Sequence, residues 1–153
     1  PTAEYLGSVI PLTVPDADTD AQPLAQISLA TVQMQIDGLS SQMPQPADLA
    51  QSIVVVRLVE KDATGGGGAT IDMQPPPMPG TFYAPDATGQ QTLDLNVIEF
   101  QLLPVMVYFD VAPGDAGVIT ITATHPERTC TVAHPSFPTL GGHVTLVDVS
   151  CPS

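Results

Sequence analysis

A chain of 153 residues, 43% apolar and with positive mean hydropathy, suits one domain burying roughly two thirds of its unfolded surface, and is too apolar for a disordered segment. Sixteen acidic residues against three basic ones (Arg57, Lys61 and Arg128) give a formal charge of −13. That balance excludes nucleic acid and anionic membrane surfaces as partners, because no basic stripe is present to displace their counterions.

The run "YLGSVIPLTV" (5–14) predicts a strand broken by Pro11, which suits an edge, a joining segment or a strand offered to a partner. "DADTD" (16–20) sets Asp16, Asp18 and Asp20 at alternate positions, like the first half of a calcium loop. Its second half is missing: Ala21 stands where the sharp-turn glycine belongs and Ile27 where the bidentate glutamate belongs. An acidic surface turn is the plainer reading. Residues 24–36 fit period two in two registers, predicting a long strand with a bulge at Ala30 and Thr31. Residues 46–52 suit one short helical turn with Asp48 in its first turn.

"SIVVVRLVEKD" (52–62) is β-branched and apolar, the pattern of a central strand buried on both faces. Irregular chain follows, including "GGGG", which lacks the Gly-Lys-Ser/Thr of a phosphate loop, and "MQPPPMPG", a stiff loop or a polyproline segment for an aromatic groove. Residues 92–100 alternate as a half-buried strand. "VMVYFDV" (105–111) and "VITITATH" (118–125), joined by "APGDAG", predict a hairpin, and "HVTLVDVSC" closes the chain as another strand. Short strands between Pro and Gly turns, with little helical periodicity, predict one all-β domain over residues 1–153: an antiparallel β-sandwich with long irregular loops at 37–52 and 64–91.

All the histidines and both cysteines lie between residues 124 and 151. Cys130 and Cys151 predict a disulfide that closes the last strands and pins the C-terminus, since no C-x-x-C suggests thiolate chemistry. His125, His134 and His143, nine residues apart, would give an open zinc site only if turns brought them together. Proline follows His125 and His134, which puts both at extended corners and favours exposed loop histidines. Ser136 lies near His134 without a G-x-S-x-G elbow, and Asp148 sits mid-strand with no evident partner. No catalytic set, resident metal or cofactor is therefore expected.

The succession "VYFDVAPGDAGVITITATHPERTC" and "GGHVTLVDVSC" resembles the carboxypeptidase regulatory-like, or transthyretin-like, β-sandwich modules of bacterial secreted and envelope proteins. The matching positions include Val111, Pro113, Gly114, Val118, Thr120 and Ile121, followed by Thr122 and Ala123. The likeness covers about residues 100–151. Upstream, Gln22, Pro23 and Leu24 resemble the module's opening, although Gln26 replaces a glycine. The resemblance implies an Ig-like, transthyretin-like sandwich used for spacing, folding support or adhesion, with no catalytic residues to carry over.

Nineteen charged residues must keep a hydrophobic chain in solution, so much of the surface has to be uncharged, in keeping with a secreted protein partly covered by a partner. No run approaches the roughly 18 apolar residues that span a bilayer, so no direct membrane insertion is expected. The start at Pro1 reads as a processed or trimmed N-terminus. The expectation is a secreted, periplasmic or cell-surface module that joins other protein subunits or an oligomer, and is not an enzyme. The alternative is a small metal-binding (calcium or zinc) or hydrolytic domain.

Overall fold

The computed structural model describes residues 4–11, 27–59 and 68–152. Among them the chain runs β1 (Tyr5–Val9), β2 (Ile27–Ser28), α1 (Leu29–Leu39), β3 (Ser52–Leu58), β4 (Ala69–Gln74), β5 (Phe82–Pro85), β6 (Gln91–Leu93), β7 (Val97–Ile98), β8 (Val105–Val111), β9 (Gly114–Thr124), β10 (Thr131–Val132), β11 (Ser136–Thr139) and β12 (His143–Ser150). The class is all-β, with two sheets in a sandwich-like arrangement. The larger has the order β2-β1-β12-β3-β8-β5-β6, with β10 also pairing β12, and the smaller has the order β11-β9-β4-β7.

The β-branched run of β3 places it at the centre of the larger sheet, where both faces are covered. Val54, Val56 and Leu58 point towards the smaller sheet and pack with Ile71, Ile121, Tyr108 and Val147. Ile53 and Val55 point the other way, into a second core with Val107, Phe109, Val144 and Leu146. β12 alternates in step with β3, since Val144 lies opposite Ile53 and Val149 opposite Leu58. A strand with apolar side chains on both faces needs cover on both sides. The smaller sheet supplies it on one face and α1 on the other.

The helix corrects the long strand expected over 24–36. Residues 24–26 lie outside the described residues; Ile27 and Ser28 are extended, from Leu29 the chain turns, and Val32, Ile36 and Leu39 bury a stripe at helical spacing against the larger sheet. Ser28 caps it: its side-chain oxygen accepts from the Thr31 N–H at 3.1 Å. The apolar positions also fit period two, so periodicity could not separate helix from strand here. Cap and docking surface decided.

Three more expectations change. The strands at 105–111 and 118–125 do not form a hairpin: β8 pairs with β3 and β5, whereas β9 pairs with β4 and β11 in the other sheet. The alternation at 92–100 is cut at Asp94, whose φ of 58° turns the chain out of β6 and towards β7 in the smaller sheet. Pairing is not purely antiparallel either, because β12 runs parallel to both β1 and β3, while the other described pairs are antiparallel. From β3 onward the chain passes back and forth between the sheets, and β5 with β6 is the consecutive pair that stays together. Residues 48–51 close a single turn, in which Gln51 N–H donates to the Asp48 carbonyl at 3.0 Å.

The N-terminal strand finds its place within its own chain. Gly7, Ser8 and Val9 lie opposite His143, Val144 and Thr145, and Tyr5 and Leu6 pair with β2. Gly7 is required at this spot because the His143 ring lies directly over it, and an added Cβ would collide with the imidazole.

Candidate functional site

The predicted cysteine pair is a disulfide. Cys130 precedes β10 and Cys151 follows β12, and Thr131 pairs with Ser150 immediately beside them, so strand register delivers the two cysteines to each other with Cα atoms 4.2 Å apart. Cys151 is fully buried in the core between the sheets.

Two of the histidines, His125 and His143, have local partners. Nδ1 of His125 accepts from the Glu127 N–H at 3.0 Å, which closes the proline corner. His134 lies between β10 and β11. Nδ1 of His143 lies 2.8 Å from the Gly141 carbonyl, at the opposite end of β12 from the disulfide. Among the described residues no three His, Cys, Asp or Glu side chains come together to hold a metal ion. Asp16, Asp18 and Asp20 lie outside the described residues.

Asp148 has a partner that sequence reading missed. Arg57 stands beside it across the parallel β3–β12 pairing and grips its carboxylate with two hydrogen bonds, Nε to Oδ1 at 2.8 Å and Nη2 to Oδ2 at 3.0 Å. The available signal was a pair of opposite charges near the ends of two otherwise apolar strands. The Asp148 carboxylate is held there, on the helix-facing side of the larger sheet, whereas Ser136 belongs to β11 of the smaller sheet.

The buried phenols offer little acid–base chemistry. Tyr83 stacks on Phe109 and Tyr108 on Phe82, with ring centroids 5.9 and 5.6 Å apart. Burial pushes both phenols well above their ordinary pKa, which keeps them neutral near pH 7. One exposed carboxylate is organised: in the β5–β6 turn the Thr88 hydroxyl donates to Asp86 at 2.7 Å, with the Thr88 and Gln90 N–H groups adding to it, and these bonds lower the Asp86 pKa.

The described residues enclose apolar cavities. One of about 150 Å³ lies between α1 and the larger sheet and is walled by Val32, Ile53, Val107 and Val144, with the half-exposed Leu103 among its lining residues. The second, about 160 Å³, lies at the end of the sandwich between the proline run after β4 and the corner joining β8 to β9. Its walls include Met73, Pro76, Met78, Val118 and Ile119, and among the described residues Asp110 is the one charged residue lining it.

A β-bulge positions Asp110. Ser52 lies opposite Val111 and Val54 opposite Tyr108, so β8 carries one more residue than β3 between these pairs. Asp110 takes up the extra length with a φ of 55°, a left-handed conformation that Asp and Asn tolerate better than most side chains. Its Oδ1 accepts from the Asp48 N–H at 2.6 Å, tying the 44–51 loop to the end of the sheet. Nothing in the alternation of "VMVYFDV" signals this break.

Chemically, the described residues offer apolar cavities, one of them with a carboxylate in its lining. Searches against family models, curated proteins and solved structures find no match for the chain.

Proposed function

We propose that this chain is a non-catalytic β-sandwich module of a secreted or cell-envelope protein and that it works by docking against other protein subunits. The observation that carries the reading is apolar surface standing in solvent: Leu102 is 87% exposed and Met34 72%, in a chain with only nineteen charged residues. Interface cores are depleted in charge and enriched in methionine. The Cys130–Cys151 disulfide supports an oxidising compartment. The likeness of residues 100–151 to the regulatory-like modules supports a role in spacing or adhesion. Among the described residues no helix is long and apolar enough to cross a membrane.

Sedimentation of the protein purified from its native source tests this reading. The expected result is a mass above that of one chain, lowered by Leu102→Lys and Met34→Lys together at unchanged melting temperature. A strictly monomeric native protein would overturn it. The metal-binding alternative rests on the three histidines for zinc and on the turn at 16–20 for calcium, and metal analysis of chelator-free protein discriminates it from the docking reading.

A further inference from the structure

We infer that the cavity at the end of the sandwich is a socket for a single arginine side chain of a partner protein, with the Asp110 carboxylate as counter-ion; this rests on the docking reading above and adds where contact is made and with what. Size sets the class of occupant. Pockets for metabolites and cofactors usually measure about 300–1,000 Å³, whereas a cavity of about 150 Å³ accommodates one benzene-sized group. At about 160 Å³ this one takes a side chain rather than a small-molecule substrate.

Wall chemistry and charge narrow the choice. Met73, Pro75, Pro76 and Pro77 supply apolar walls, and Met78 and Val118, 58% and 55% exposed, stand where the cavity meets solvent. Methionine adapts to the shape of what enters, and methionines lie on both the wall and the rim. Among the described residues Asp110 is the sole charged residue of the lining, and the whole chain carries −13, so the complementary occupant is cationic. Between the two cationic side chains the apolar walls favour arginine: guanidinium is more weakly hydrated than ammonium, lies flat against apolar surface and meets a carboxylate with a fork of donors. The Asp48 N–H occupies one acceptor position of Asp110 Oδ1, and a carboxylate has about four such positions, so capacity remains.

Asparagine at position 110 tolerates the same left-handed backbone and keeps an oxygen for the Asp48 N–H, so Asp110→Asn removes the charge and leaves the bulge. The test is a methionine-methyl NMR titration at low salt with Nα-acetyl-arginine methylamide, and with its uncharged citrulline counterpart as control. Saturable shifts at Met73 and Met78 are expected with the arginine probe alone, with half-saturation raised about tenfold or more in Asp110→Asn. The exposed-site variant Met78→Lys, which brings a competing cation to the mouth, should abolish the response. An equal response to the citrulline probe, an unchanged half-saturation in Asp110→Asn, or no saturable shift overturns the socket. Any of these, found while the native protein still sediments as an assembly, leaves the docking reading standing. A monomeric native protein removes that reading instead.

Discussion

Single side chains in this protein are set by what each face of a strand meets, and Thr145 is the position where that arrangement is least satisfied. Thr145 lies between Val9 and Val54 in the parallel part of the larger sheet, fully buried, and its hydroxyl finds no hydrogen-bond partner among the described residues. A buried hydroxyl without a partner costs about 1–3 kcal/mol relative to a solvated one, and valine has the same shape without the polar atom. Thr145→Val is therefore expected to stabilise the fold by about 1–2 kcal/mol, read as a higher urea midpoint at unchanged slope. A lower midpoint would mean that the hydroxyl has a partner in solution. Asp94 and Asp110 belong to the same scale. Both adopt positive φ and both accept from a distant backbone N–H, Gly80 and Asp48 respectively, so each short carboxylate fastens a loop where the strand turns aside. Neither turn could be read from the alternation around it, because alternation reports burial and not local backbone shape.

Among the elements, α1 and the hairpin expected at 105–125 mark where sequence reading succeeds and fails. The positions Val32, Ile36 and Leu39 were present in the sequence with helical spacing, but Ile27, Leu29 and the following residues matched period two as well. Ser28 breaks the tie: its oxygen takes an N–H that a helix N-terminus would otherwise leave unpaired. Ser28→Ala should lower stability by about 1 kcal/mol in a thermal melt monitored by circular dichroism. A variant as stable as the parent would refute the capping role. For β9 the alternation separated the two faces, and Ile119 and Ile121 are inside. It carried no information about which sheet each strand enters. That choice depends on β4 and β11 lying beside β9, contacts made far along the chain.

For the molecule as a whole, the disulfide joins the two ends of its last segment. Cys130 and Cys151 are 21 residues apart, and closing a loop of that size stabilises by about 3 kcal/mol in the chain-entropy account. A Cys130→Ala, Cys151→Ala double variant is expected to lose about that much in denaturant unfolding. An unchanged midpoint would show that the β10–β12 pairing already fixes the C-terminus without the bond. Sequence alone determined the all-β class, the central strand that begins at residue 52, a last strand that begins at His143, and the cysteine pairing. The class and the strands follow from side-chain alternation and β-branched composition, which are local, and the pairing from there being only two cysteines. The tertiary structure decided that 29–39 is a helix, that β12 lies parallel to β3, that successive strands change sheets, and that Asp110 faces a side-chain-sized cavity. Each of these depends on which surfaces meet after the chain has folded, and short-range periodicity does not encode that.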